Sequence, residues 1–140
     1  MVVPAVSINL VHVLVAAIAS MVVGFVWYGP LFGKLWIHLS GMGQKDMAKA
    51  KAKGMGKSYF ITFLGSFVTA YVLAHFLKYV SAATVGDAIQ LALWLTIGFI
   101  ATVALGTVLW ENKTWKLYFL KVSHEFVSLS VMAIILALWV

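Results

Sequence analysis

The sequence predicts an all-α fold, a polytopic membrane protein with four transmembrane helices forming two repeated hairpins, and three observations carry that prediction. Hydrophobic residues make up 64% of the 140 and charged residues only 10%, with a mean hydropathy of +1.03, outside the range of a water-soluble domain of this size. Four apolar runs are each long enough to cross about 30 Å of hydrocarbon, which takes roughly 20 residues. The runs are continuous rather than alternating, and an open sheet would leave backbone groups unpaired in lipid, so strands are excluded as spans.

The first span is expected over about residues 9–28. It resembles a signal peptide in position only, since no basic residue precedes it and it stays apolar for longer than a signal core, so it reads as a retained helix. The loop 31–57 follows the Gly29-Pro30 break. Its first part, Leu31 to Leu39, is apolar with Lys34 and His38 interspersed and suits a short helix lying in the interface. Lys45, Lys49 and Lys53 then recur every four residues between pairs of glycines. A helix there would turn the three lysines toward anionic lipid headgroups, whereas a loose loop would simply obey the charge rule.

The second span is expected over about 59–80 and the third over about 88–110, with Asp87 capping the third at its positive end. The fourth, about 117–140, carries Lys121, His124 and Glu125 within its apolar run. The whole chain is one domain of four spans.

The net charge of +6 resides mainly in the loops. Lys34, Lys45, Lys49, Lys51, Lys53 and Lys57 lie in the first loop and Lys113 and Lys116 in the third, against Lys78 alone on the other face. The positive-inside rule accounts for this without nucleic acid as a partner, and places the lysine loops in the cytoplasm and both termini outside the cell membrane. Trp27, Trp36, Trp110 and Trp115 gather at the same ends, where indole prefers the headgroup layer.

Shifting the second span by 59 positions sets Lys57, Tyr59, Phe60, Phe67, Val68 and Thr69 on Lys116, Tyr118, Phe119, Phe126, Val127 and Ser128. The first and third spans match more loosely, Gly24 and Trp27 with Gly106 and Trp110. Two hairpins entering from the same side would be related by a pseudo-two-fold axis along the membrane normal. Small residues at four-residue spacing mark close helix contacts in lipid: Ala16, Ser20 and Gly24 on the first span, Gly98, Thr102 and Gly106 on the third, with shorter versions at Gly65 and Thr69 and at Ala133 and Ala137. These lines are expected to face protein.

Lys121 and Glu125 are one turn apart, about 7 to 14 Å from the cytoplasmic end of the fourth span at 1.5 Å per residue. A lone charge at depth costs at least about 2.5 to 3.5 kcal/mol, so the group is expected to pair, neutralise or face the bundle interior. Under the repeat, Gly65 and Ser66 occupy the places of His124 and Glu125, so the polar groups would project toward small residues. On the outer side His12, His75 and Asp87 form a second polar set, suited to a proton relay or a metal but lacking ligand spacing on one helix; no metal and no cofactor is assigned. The sequence has no cysteine, so thiol chemistry is excluded, and it has no nucleophile elbow, zinc-protease motif or phosphate loop.

Trp27-Tyr28-Gly29-Pro30-Leu31-Phe32-Gly33-Lys34, followed by Trp36, and the segment Trp110-Glu111-Asn112-Lys113 with Leu117, Phe119, His124 and the run Ser128 to Trp139, resemble a family of small bacterial four-span proteins catalogued as a domain of unknown function, number seventeen sixty-one. The resemblance implies a four-helix membrane fold with no assigned reaction and no catalytic residues to transfer. Two functions are therefore expected in competition: proton-linked transport or small-solute binding within the membrane, with Glu125 and His124 titrating and Lys121 as counter-charge, or a scaffold whose small-residue faces assemble with partner spans. An enzyme acting on lipid would need a lateral groove leading to His124. Four short helices enclose little space, so a homo-oligomer is expected.

Overall fold

The computed structural model describes residues 6–40, 49 and 55–139, and among them there are helices and no strands. The elements are α1 (Leu10–Val26), a wide, kinked turn Trp27–Leu31, α2 (Gly33–Ser40), α3 (Met55–Tyr79), α4 (Val85–Leu95), a second wide turn Thr96–Ala101, α5 (Thr102–Leu109) and α6 (Trp115–Leu138). Four of the resulting rods are long and apolar enough to cross a membrane: Leu10–Leu31, Met55–Tyr79, Val85–Leu109 and Trp115–Leu138.

Side-chain caps set three of the starts. Asn9 accepts from the Val11 N–H, Thr84 from the Asp87 N–H and Thr114 from the Leu117 N–H, each satisfying an N–H that a helix cannot pair by itself. The third and fourth spans therefore begin earlier than their apolar runs do. The second also starts earlier, so residues 55–57 of the expected loop are its first turn. A short helix, α2, stands where one was expected, whereas Lys45 and Lys53 of the lysine ladder lie outside the described residues; Lys49 is exposed.

The fourth span is the hub. The first and second spans pack on it and on each other, and the third packs on it and makes no more than glancing contact elsewhere. The shared core is largely alanine, with Ala16, Ala70, Ala88, Ala92 and Ala133 fully shielded around Val13, Leu73 and Met132. Small side chains let the helix backbones approach, which is the main source of association where lipid tails are as apolar as leucine.

At the 59-residue shift, Ala70, Leu73 and Ala74 of the second span fall on Leu129, Met132 and Ala133 of the fourth, and all six are buried. The looser half of the repeat diverges. A full pseudo-two-fold would close the third span onto the second as the first closes onto the fourth; instead a groove of about 410 Å³ lies between them, walled by Val72, Phe76, Leu95 and Phe99 and reaching Leu129.

One expectation is overturned on the third span. Thr102 is exposed, a Cβ added at Gly98 meets nothing, and one at Gly106 meets only Trp110 of the same span. The buried stripe there is Ala88, Ala92 and Thr96. Gly98 is two residues beyond Thr96, roughly 200° round a helix of 3.6 residues per turn, so the glycine line faces away from the bundle. Gly65 and Thr69 are exposed as well, while Ala133 and Ala137 are buried as expected.

Candidate functional site

The two antiparallel spans α1 and α6 meet along their small-residue faces. Ser20 and Ser128 share a hydrogen bond between hydroxyls at 2.7 Å. One turn toward the lysine-rich end, the absent side chain of Gly24 makes room for His124, whose Nε2 lies 3.7 Å from where a Cβ would stand. Ser20 and Gly24 thus both meet the fourth span, and Gly24 specifically receives the imidazole.

The segment after α1 wraps over that imidazole. Gly29 leaves helical geometry at φ −110° and ψ −106°, and Pro30 supplies no N–H to continue the ladder, so the chain kinks. A Cβ on Gly33 would stand 2.8 Å from the Tyr28 carbonyl oxygen, so only glycine allows the return of the backbone. The fold-back sets Tyr28 4.9 Å and Trp27 6.0 Å from the His124 ring, centroid to centroid. Phe32 packs on Trp27 and Trp36 on Tyr28, fixing both rings.

His124 is 14% exposed in its side chain and Glu125 47%, with Nδ1 to Oε1 at 3.6 Å. Both His124 nitrogens and the Trp27 indole nitrogen are shielded and have no hydrogen-bond partner among the described residues. The chain therefore gathers three polar ring atoms at one place without satisfying them. Of the alternatives expected for Lys121 and Glu125, pairing with each other does not occur: Lys121 is exposed and no ion pair joins the two. His124 takes the inward direction, and Glu125, about 100° further round the helix, is left at the edge of the bundle rather than inside it.

The outer set does not converge. His12 stacks on Trp139 at 4.1 Å, His75 donates from Nδ1 to the Tyr71 carbonyl at 2.8 Å, and Asp87 accepts from the Ala83 N–H in the cap of the third span. Among the described residues no three His, Cys, Asp or Glu side chains form a group that could hold a metal. His12 instead lines a cleft of about 710 Å³, at the end of the bundle opposite the lysine-rich loops, with Asn9, Lys78, Ser81 and Trp139.

Sequence reasoning missed two parts of the site. Trp27 read as an interfacial anchor rather than as a wall over His124, and Ser128 was not paired with Ser20. The available signal was register: 24 with 124 and 20 with 128 step in opposite directions by four, as antiparallel helices must.

A family model described as a protein of unknown function, DUF1761, matches residues 11–137. No curated protein and no solved structure matches the chain.

Proposed function

We propose, from the premise that the chain belongs to the DUF1761 family of proteins of unknown function, that this multi-pass membrane protein performs proton-linked transport or binding of a small solute, with His124 and Glu125 as the proton-exchanging pair. One observation carries the reading: the buried and unpartnered nitrogens of His124 and Trp27. A shielded polar atom without a partner costs about 1–3 kcal/mol. Imidazole is both donor and acceptor and the indole N–H donates, so a water or a small polar solute that both accepts and donates would satisfy the set. Glu125, half exposed and 3.6 Å from Nδ1, is placed to hand a proton on.

In this reading the lysine-rich ends face the cytoplasm and both termini lie outside. Lys34, Lys113 and Lys116 are exposed at those ends and suit anionic headgroups. Lys121 is no counter-charge in the resting geometry; its long stem lets the ammonium reach the headgroup layer.

The test is proton flux into proteoliposomes loaded with a pH-sensitive dye, driven by a valinomycin-set potassium potential. His124→Gln is expected to slow the flux roughly a hundredfold, the low end of what a positioned acid or base contributes, and Glu125→Gln to slow it as well. Wild-type flux in both variants rejects the reading.

A second reading, a membrane scaffold, is favoured by the outward line Gly98, Thr102 and Gly106, where Gly98 and Thr102 are exposed and a Cβ on Gly106 would meet only Trp110 of the same span. It belongs with assembly into a homo-oligomer. Gly106→Leu would then abolish crosslinking between copies in membranes while His124→Gln would not.

A further inference from the structure

The register that brings Gly24 to His124 and Ser20 to Ser128 continues along both helices. One turn further out on each come Ala16 and Met132, both essentially inaccessible and both in the central core. One turn beyond those come His12 and Leu136, which line the outer cleft together. A single seam therefore runs the length of the bundle, ordered as imidazole, hydroxyl pair, dry layer, imidazole.

The second span covers one flank of this seam, since it packs on both α1 and α6, and its Ser66 hydroxyl reaches the Met21 sulfur of α1 at 3.9 Å. Ser128 is 3% exposed. Hydroxyls that bind each other at mid-depth each keep further bonding capacity, and Ser128 stands about 6 Å along the helix from His124, one water's bridge away.

We propose that this seam is the transmembrane route of the proton, with the Ser20–Ser128 pair as its middle station, Ala16 and Met132 as the layer that closes it, and His12 as its outer end. The inference rests on the proposed role of His124. At the middle station each hydroxyl gives up its own proton on one side as it takes one on the other, so one O–H bond breaks for each that forms, and both hydroxyls then rotate back to restore the pair before the next transit. The ionisable groups around the inner end are Glu125 on the same helix and Tyr28 on the first span; Lys121 on α6, and Lys34 and His38 of α2, are exposed. At the outer end they are His12 and Lys78.

The bland alternative is that the two serines only hold the helices together, which is worth about 0.6 kcal/mol on average for such contacts. Proton flux separates the two. Ser20→Ala with Ser128→Ala is expected to slow flux at least about tenfold, Ser128→Thr, which keeps a hydroxyl, to retain it, and Ala16→Ser, which wets the dry layer, to raise it severalfold. The sequence contains no cysteine, so Ser20→Cys with Ser128→Cys reports the seam alone, and oxidation is expected to join the two.

If His124→Gln stops the flux while the double alanine variant matches wild type, the route falls and the role of His124 stands. Flux lost in neither falsifies both. Failure of the cysteine pair to join overturns the register, and an unchanged rate in Ala16→Ser removes the closing layer.

Discussion

At the scale of single residues, the site depends on two missing side chains. Gly24 leaves the volume that the His124 ring fills, and at 3.7 Å to Nε2 a methyl group fits in ordinary contact. Gly24→Ala is therefore expected to leave the fold intact, whereas Gly24→Leu should displace the imidazole and destabilise by about 1–3 kcal/mol, the cost of overpacking; thermal unfolding in detergent reads both. Gly33 is less forgiving, because the clash at 2.8 Å is with backbone. Gly33→Ala should loosen the Trp27–Tyr28 wrap and change tryptophan emission even where helix content is kept. Neither role is legible in the sequence: glycine in a membrane helix reads first as a packing surface, and what it packs against depends on the phase of a distant helix.

At the scale of elements, the spans were legible because their length and hydropathy follow from bilayer thickness, and the errors at their ends come from caps. Thr114→Ala should cost about 1 kcal/mol through loss of the bond from the Leu117 N–H. The wide turn Thr96–Ala101 left no mark in composition. It is tied to the fourth span by the Tyr118 hydroxyl, which donates to the Ala101 carbonyl at 2.7 Å. Tyr118→Phe is expected to cost about 1 kcal/mol and to free the third span first, seen as faster amide exchange there than in the second. The outward direction of the Gly98, Thr102 and Gly106 line was not legible, since small residues signal closeness without naming the neighbour. Alanine at 88 and 92 carried the same signal and won the contact.

At the scale of the whole molecule, the four-span bundle was readable, and its asymmetry was not. A repeat in sequence argues for equivalent packing, but the groove between the second and third spans shows that the first span found a seat on the fourth that the third did not find on the second. Orientation is open to a direct measurement. With no native cysteine, Lys113→Cys and Lys78→Cys should react with an impermeant thiol reagent from opposite sides of intact cells, with the second labelled from outside. The hub arrangement also has a temporal meaning. The helix on which the other three lean is translated after them, so during insertion the third span enters the bilayer with its alanine stripe facing lipid and nothing to hold it. A chain truncated after Asn112 and released into the membrane should let the first two spans pair while the third drifts free, and a single late step should complete the assembly when the fourth span is supplied.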